Sequence, residues 1–314
     1  MDTTASLWPV GILPLVHLKH FLFGNSLISL PFFDMGGILA DDEKIERALL
    51  SEAMRIGRGL KVDHLELRHA GPVFWLASGD GQSLQSENGL VVRTLSHKVR
   101  MILELPDTPE ALMSSFKAKL RSQVKKPLKE GLTAKIGGNE LLEDFYNVFS
   151  ANMRDLGSPV HSRKLIESVL TEFFDQARIA VVYGRGAQPL ASSLVIGFKD
   201  TLENPWASAL REYSALSPNM LLYWTMLEYA CNQGFRYFDF GRSTPGEGTY
   251  VFKEQWGAKP MPLNWHYVSV DGRSLGSESV SGKARFEKAI SCWQRLPIPV
   301  TKILGPRIRK YIGL

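Results

Sequence analysis

Residues 237–257 read YFDFGRSTPGEGTYVFKEQWG, and this stretch is the most informative part of the sequence. Its first part alternates aromatic and polar residues, which is typical of a β-strand whose Asp239 points away from the aromatic side chains beside it. The glycines that follow predict a mobile loop. Phe252 and Trp256 then stand four residues apart, which places them on one face of a helix. The stretch therefore predicts a strand at 236–240, a loop, and a short helix at 249–256.

The chain before this stretch predicts alternating helices and strands. Pro218 follows Ser217, a good helix start, and Gly234 ends that helix. From residue 139 onward the expected order is helix, helix, three strands, helix, strand, helix and strand. The bounds are 139–157, 162–177, 179–183, 191–198, 205–213, 217–233, 236–240, 249–256 and 263–270, and we expect one mixed sheet.

The first third of the sequence predicts a mixture of α and β structure. Residues 11–33 read as two strands that turn at Gly24-Asn25, and residues 42–60 have helical spacing. Strands are expected at 64–68, within 89–105 and at 132–136. Thr108 and Pro109 begin a helix that should break near Lys126, because Pro127 disfavours helical geometry in the preceding residue.

The stretch 237–257 resembles the closing signature of the FemAB family, an aspartate-bearing strand, a glycine loop and a Phe-Lys-x-x-aromatic-Gly helical turn. The sequences SALSPNMLL at 214–222 and LGSPVH at 156–161 are similar to the same family's second domain. The resemblance extends over 112–267. It is closest to the FemAB-like proteins that accompany the PEP-CTERM and exosortase system.

This resemblance implies a mixed α/β (α+β) fold of tandem GNAT-like domains, the acyl-CoA N-acyltransferase type. We expect residues 1–136 to form a first domain abbreviated at its N-terminus, 137–270 a second domain with the FemAB signature, and 271–314 a basic amphipathic tail. The implied activity is transfer of an aminoacyl or acyl group onto an amine of a cell-envelope or exopolysaccharide precursor. The family's relatives include the peptidyltransferases that build peptidoglycan bridges.

Composition agrees with an intracellular enzyme of two domains. The 314 residues are 44% hydrophobic and 22% charged, ordinary values for a globular chain too long for one small core. Cys231 and Cys292 provide neither a disulfide framework nor zinc-ligand spacing, so we expect no metal. The apolar runs at 8–16 and 27–39 are short for a bilayer helix, and the start lacks a signal peptide. We expect a cytoplasmic protein.

Lys253 and Asp239 are the candidate catalytic residues. Lys253 occupies the lysine position of the family's Phe-Lys pair, where an ammonium stabilises the developing oxyanion, although a solvated lysine on a short helix is the alternative. Asp239 either orients the acceptor amine or Arg242, or caps the turn at Gly241. No His-Asp or Cys-His pair is visible in the sequence.

Six residues are candidates for substrate binding. Arg242 can hold a phosphate or carboxylate bidentately, or can pair with Glu247 instead. His161 either contacts the acceptor or caps the following helix. The full set is Arg242, Ser243, Glu247, Phe252, Trp256 and His161, with core packing as the alternative for the two aromatic residues.

Two basic regions are candidates for anionic partners, and the net charge of the chain is +5. The first contains Arg121, Lys125, Lys126 and Lys129, which suit a tRNA backbone or an anionic lipid carrier, or form only a solvated helix face. The second is the tail at 283–314, where a basic amphipathic helix favours membrane contact over folding back on the first domain. The sequence does not determine the oligomeric state.

The donor is expected to be a substrate, because no permanently bound cofactor is implied. Aminoacyl-tRNA and acyl-CoA are the two candidates. Acetyl-CoA enzymes place a glycine turn before the long helix so that backbone amides meet the pyrophosphate, whereas residues 212–219 contain no glycine. An acetyl-CoA-dependent N-acetyltransferase of an amino sugar is therefore the second hypothesis, and a non-catalytic scaffold of the same fold is the third.

Overall fold

The structure is a computed structural model that describes residues 8–71, 73–74, 84–87, 90–272, 275 and 282–313. The chain divides into two compact units. The first unit contains Met1–Val99, Pro262–Val280 and Tyr311–Leu314, and the second contains Arg100–Met261 and Ser281–Lys310. Among the described residues, no helix has the length and hydropathy needed to cross a bilayer.

The described part of the chain forms short strands in both units. They are β1 (Gly11–Ile12), β2 (Val16–His20), β3 (Gly24–Ile28), β4 (Leu39–Ala40), β5 (His64–His69), β6 (Leu84–Glu87), β7 (Leu90–Leu95), β8 (Val99–Glu104), β9 (Thr133–Gly137), β10 (Ala177–Tyr183), β11 (Pro189–Phe198), β12 (Thr201–Ala209), β13 (Tyr237–Ser243), β14 (Lys259–Pro262) and β15 (Asn264–Val268).

Helices cover these sheets. They are α1 (Glu43–Leu60), α2 (Pro109–Ser115), α3 (Ala118–Lys129), α4 (Leu142–Asp155), α5 (Arg163–Glu172), α6 (Pro218–Asn232), α7 (Gly248–Glu254), α8 (Gly282–Gln294) and α9 (Ile298–Arg309). Several begin at the residues expected from the sequence. Thr108 accepts a hydrogen bond from the Ala111 amide at 3.2 Å, and Asp42 accepts one from Ile45 at 2.8 Å.

The first unit is built on a six-stranded sheet in the order β2-β3-β5-β15-β7-β6, with β1 and β4 paired separately. Helix α1 buries Leu50 and Ala53 on one face because these residues follow helical spacing. They belong to the same core as Leu65, Leu67 and Val268.

The second unit is built on a seven-stranded sheet in the order β14-β8-β13-β12-β11-β10-β9. Strands β9 to β12 pair antiparallel, and β12 pairs parallel with β13. Ile179 and Val181 of β10 belong to a core with α4 and α5, whereas the intervening Ala180 and Val182 are equally buried. Because side chains alternate along a strand, β10 is covered on both faces, and α6 also packs on it.

Some strands lie in a different sheet from the one that their position in the sequence predicts. We expected residues 263–270 to complete the sheet of the second unit, and this is wrong: β15 pairs with β5 and β7 in the first unit. The sheet of the second unit instead ends on β14 and includes β8, from the first third of the chain. The predicted domain boundaries at 136 and 270 therefore differ from the observed units. A hydrophobic pattern specifies a strand but not its partners, which explains the difference.

Four local expectations also differ from the structure. The expected helix break near Lys126 is wrong: Pro127 lies inside α3, where its ring is buried, and the break falls at Phe116. The strand expected at 205–213 begins earlier, and residues 211–216 form a 3-10 turn. The first hairpin turns at 21–23. The helix expected at 162–177 ends at Glu172.

The tail forms α8 and α9, which pack against α4 of the second unit. Gly305 of α9 meets the main chain of Val160, because a Cβ added there would lie 2.9 Å from the Val160 nitrogen. Lys302 donates to the Asn147 side chain at 2.5 Å. Helices α8 and α9 of the tail thus fold onto the second unit. The last residues of the tail belong to the first unit, where Arg68 donates to the Gly313 carbonyl at 2.9 Å, so the alternative of a tail folded back on the first domain holds for this end only. Residues 273–274 and 276–281 lie outside the described residues.

The close approach at Gly305 predicts opposite effects for alanine at two helical glycines. Gly305→Ala should destabilise the protein by about 1–3 kcal/mol, because the new methyl group meets backbone that cannot move aside. Gly59→Ala, in the last turn of α1 where a Cβ meets nothing within 4 Å, should stabilise it by about 0.5–1 kcal/mol. Thermal melting of both variants measures this, and equal effects at the two positions would contradict the packing described for α9.

Candidate functional site

The parallel strands β12 and β13 pair over only three residues each. The register runs from Thr201 opposite Tyr237 to Glu203 opposite Asp239, although both strands continue well beyond this point. The register between β11 and β12 shifts at the same level, where Asn204-Pro205 follows Glu203, and a proline has no amide to donate. The two strands therefore stop bonding to each other in the middle of the sheet, and the polar groups that line this opening form the candidate site.

Asp239 stabilises β13 next to this opening. Its Oδ1 accepts the Gly241 amide at 2.8 Å, and its Oδ2 accepts Arg100 Nη2 at 2.6 Å and Nε at 2.8 Å. The side chain is 1% exposed, and Gly241 has a φ of 73°, a conformation that favours glycine. This geometry matches the turn-capping interpretation. The role of Asp239 toward an acceptor amine stays a prediction.

Lys253 is buried, so the interpretation as a solvated lysine is wrong. Its ammonium donates to the carbonyl oxygen of Gly241 at 3.0 Å and to that of Arg242 at 2.8 Å. Only 7% of the residue is exposed. The glycine loop and α7, which carries Lys253 in its last turn, bring this side chain back to the end of β13. There it fixes the two carbonyl groups and places a positive charge beside them.

Two polar groups near the opening are buried without a hydrogen-bond partner among the described residues. They are the Nδ2 of Asn204 and the hydroxyl of Ser243. The Asn204 amide is oriented by Ser193, whose hydroxyl donates to Oδ1 at 2.7 Å. Burial raises the pKa of the neighbouring Tyr223 to about 12, and Asn204 opposes this shift. Unpaired buried donors are costly, so these two groups mark a place where the packing leaves hydrogen-bonding capacity unused.

Backbone amides in the turn before α6 donate hydrogen bonds within the same segment. The amides of Tyr213, Ser217 and Met220 donate to carbonyl groups of the same segment, at 3.0–3.1 Å. Ser217 adopts a φ of 58°, and Lys126 donates to the Ala215 carbonyl at 2.7 Å. This segment therefore differs from a glycine turn with bare amides, as the sequence indicated.

Comparisons with known proteins now add to this geometry. A family model described as an acetyltransferase (GNAT) domain matches residues 114–254. The solved structure of FemX has a TM-score of 0.59 at 14% identity, covering 84% of this chain and 86% of that one. The fold is of the GNAT type. The expected class, tandem GNAT-like units within a mixed α/β fold, is confirmed.

Two further GNAT-type structures are similar over most of this chain. The C-terminal domain (DUF2156) of a protein described as a lysylphosphatidylglycerol synthetase, from Agrobacterium fabrum, has a TM-score of 0.57 at 13% identity and covers 84% of this chain and 82% of that one. L-PGS from Bacillus licheniformis has a TM-score of 0.52 at 13% identity, with 96% and 86% covered. No curated protein sequence matches the chain.

The remaining candidate residues of the stretch 237–257 have different environments. Trp256 is 1% exposed, and it packs with Phe252 against Tyr223 at ring distances of 6.3 and 5.0 Å, as the core interpretation predicts. Arg242 is half-buried. Glu247 is exposed at the start of α7, and its side chain makes no capping hydrogen bond there. Substrate binding by these residues stays a prediction.

His161 lies in the core of the GNAT-type second unit. Its Nε2 accepts from Arg309 Nε at 3.1 Å, and burial, with the charge of Arg309, lowers its pKa to about 3. Ser162 caps α5 instead, so the capping interpretation of His161 is wrong. Because the residue is 2% exposed, contact with an acceptor would require α9 to move.

The predicted basic cluster divides into two environments. Lys125 and Lys129 are exposed on α3. Arg121 instead donates to the carbonyl groups of Ser114 and Phe116, and Lys126 donates to Ala215. Two of the four side chains thus bind backbone carbonyl groups. Among the described residues, no cluster of three His, Cys, Asp or Glu side chains has the geometry to hold a metal ion.

Sequence reasoning missed Arg100, Asn204 and Tyr223. The signal for Asn204 was the Asn-Pro pair inside an apolar run, since proline within a strand marks a bulge or an edge. Arg100 interrupts the apolar pattern of β8, which indicates a buried ion pair but does not identify Asp239 as its partner. Tyr223 had no distinguishing signal among the apolar residues of α6.

The buried neutral imidazole of His161 predicts a loss of stability in acid. Its folded pKa is depressed below the usual 6.5, so the unfolded chain binds more protons between pH 6.5 and about 3. The stability it contributes is complete above pH 6.5 and is lost as the pH falls, by up to about 1.36 kcal/mol per pH unit. In His161→Gln the melting temperature should vary less with pH across this window. Parallel curves for variant and wild type would contradict the assignment.

Proposed function

We propose that this protein transfers an acyl or aminoacyl group from an activated donor to a primary amine. The observation that carries the proposal is the opening between β12 and β13, lined by the buried unpaired groups of Asn204 and Ser243 and held by Lys253. In the reaction the amine nitrogen bonds to the acyl carbon while the ester or thioester bond breaks. The leaving oxygen or sulfur takes the electron pair, and the proton that the amine loses passes to this leaving group, directly or through water.

The side chains around the opening fit the charge that develops during this attack. Negative charge accumulates on the acyl oxygen, and fixed donors stabilise it without having to reorganise. The Asn204 amide and the Ser243 hydroxyl supply such donors, and the buried ammonium of Lys253 supplies positive potential while keeping the end of β13 in place. Asp239 and Arg100 hold β13, the strand that carries Ser243.

We propose acyl-CoA and aminoacyl-tRNA as the alternative donors. The match to an acetyltransferase (GNAT) domain model favours an acyl thioester. The turn before α6 lacks glycine, and its amides are engaged, so we expect acetyl-CoA itself to bind weakly. Lys125 and Lys129 remain exposed for contact with a tRNA phosphate backbone.

We propose that the acceptor is a cell-envelope or exopolysaccharide precursor on the cytoplasmic side of the membrane. FemX and the lysylphosphatidylglycerol synthetase domain share the fold, which supports an envelope acceptor. A link to the PEP-CTERM and exosortase system rests on the sequence resemblance at 237–257. Exosortase genes beside the gene for this chain would support that link.

The transfer itself is tested by single-turnover reactions with acyl-CoA and with aminoacyl-tRNA. Lys253→Met should lower the rate by about a hundredfold, because the positive potential beside the opening and the support of the end of β13 are both lost. It should also lower the free energy of unfolding by about 1–3 kcal/mol, since two buried carbonyl groups lose their partner.

Rates for the Lys253 variant are compared at a temperature where it is folded. The matched control is Lys259→Met, because Lys259 is an exposed lysine on β14 whose loss should change neither quantity. A wild-type rate in Lys253→Met would exclude this lysine from catalysis. Absence of transfer with both donors and amine acceptors would favour the scaffold hypothesis.

We also propose that α9 contacts an anionic membrane. Its inner face is fixed to α4, whereas Val300, Ile303 and Leu304 on its outer face are 37%, 61% and 38% exposed. These residues follow one helical stripe that continues to the exposed Arg307. Residues 288–313 contain no acidic side chain, so nothing in this segment repels an acidic lipid surface.

Replacing Ile303 and Leu304 by serine should weaken binding to phosphatidylglycerol vesicles about fivefold to tenfold, because about two apolar side chains no longer enter the interface. The control is Leu128→Ser, which removes an apolar side chain 52% exposed on α3. Co-sedimentation at low and high salt measures both. Equal binding of the two variants would show that α9 is not the contact surface.

A further inference from the structure

A cavity of about 650 Å³ lies beside α4, away from the signature residues 237–257. Its walls come from α4, from the start of β11, from the segment that follows β12, and from α9. The volume is within the range of sites for small molecules. All of its walls belong to the second unit.

The charges in this cavity are not balanced. Arg154 and Asp155 neutralise each other at 2.6 Å. Lys302 and Arg211 also line the cavity, and neither forms a salt bridge with any described residue. Glu212 is the remaining acid, and it is exposed. The walls therefore present two cations from two different elements against one solvated carboxylate.

Lys302 is held in position within the cavity wall. Its ammonium donates to Asn147 Oδ1 at 2.5 Å and lies 5.5 Å from the centre of the Tyr146 ring. An ammonium has three donors, and the amide oxygen accepts one of them without cancelling the charge. The packing of Gly305 against Val160 fixes the helix that carries this lysine. The cation is thus ordered before any ligand arrives.

Apolar side chains form the rest of the surface. Val148, Leu210 and Ile298 lie between the charged groups. A fully hydrated ion would gain little from such walls, whereas an ester of phosphate with an organic body would bury that body against them. A phosphate monoester carries a charge of about −1.5 to −2 near neutral pH, which matches two cations better than one.

We propose that this cavity binds the phosphate ester of a small organic molecule, with Lys302 and Arg211 as its charge contacts. The cavity includes residues 210–212, which directly follow the C-terminal end of β12, the strand whose pairing with β13 ends at Glu203. We assign the molecule as the acceptor, an amine that also carries a phosphate. That assignment rests on the proposed function, whereas the phosphate site does not.

Calorimetric titration without any donor tests the site. Glucosamine 6-phosphate represents a soluble source of the phosphate monoester and sphingosine 1-phosphate a lipid source, and both also carry a primary amine. Glucosamine is the ligand control. At least one phosphate probe should bind about tenfold or more tightly than glucosamine, as expected for charge-assisted hydrogen bonds. The probe that binds more tightly identifies the source.

Two variants and one control locate the binding. Arg211→Gln changes an exposed residue and should fold normally, and Lys302→Met removes the second cation. Each should weaken binding of the phosphate probe about tenfold or more. Lys199→Gln, at the exposed turn between β11 and β12, should bind like wild type. Equal affinity for glucosamine and its phosphate, or wild-type affinity in both variants, would overturn the site.

Transfer assays separate this inference from the proposed function. If the bound probe is acylated, and if Arg211→Gln raises the KM for the probe, the acceptor assignment is supported. Binding without acylation, while another amine is acylated, overturns the acceptor assignment and leaves the proposed transfer intact. Binding with no acylation of any amine overturns the proposed function and leaves the phosphate site intact.

Discussion

The carboxylate of Asp239 is the point at which several parts of the second unit are held together. One oxygen caps the kink at Gly241, and the other binds Arg100 of β8, so β13 is bonded to its neighbour while it bends away from β12. Lys253 completes this arrangement from α7. A buried ion pair of this kind stabilises poorly by itself, but removing one partner leaves an unpaired charge. The bend, and with it the opening in the sheet, depends on all three groups.

Sequence reasoning predicted the local elements of this protein better than their partners. Capping residues and apolar spacing located α1 and α6, and the starts of α2 and α5, to within a few residues, because these signals act over one or two helical turns. The placement of β15 between β5 and β7 involves residues almost 200 positions apart. Nothing in an isolated strand distinguishes one sheet from another when both faces are to be buried.

Prediction of the candidate site was limited in a similar way, because a sequence does not show which groups each charged side chain contacts. Lysine, arginine and histidine are usually solvated, and a sequence does not reveal the carbonyl groups that Lys253, Lys126 and Arg121 bind in the structure. In the tail, Lys302 and Arg309 contributed to a basic amphipathic pattern although both point toward α4 and the segment after it. The family resemblance predicts a site at 237–257, and this stays a prediction. The unpaired groups of Asn204 became visible only with the strands in place.

The exchange of strands between the sheets has a consequence for the way this chain is made. On the ribosome, β5 and β7 emerge early, but the strand that separates them in the finished sheet is translated only after residue 260. Until then the first sheet has two unpaired edges facing an empty position. Such nascent edges invite pairing with other chains, so they need protection by a chaperone or by the covering helix. Neither unit corresponds to a contiguous gene fragment, and both reach their final form only near the end of synthesis.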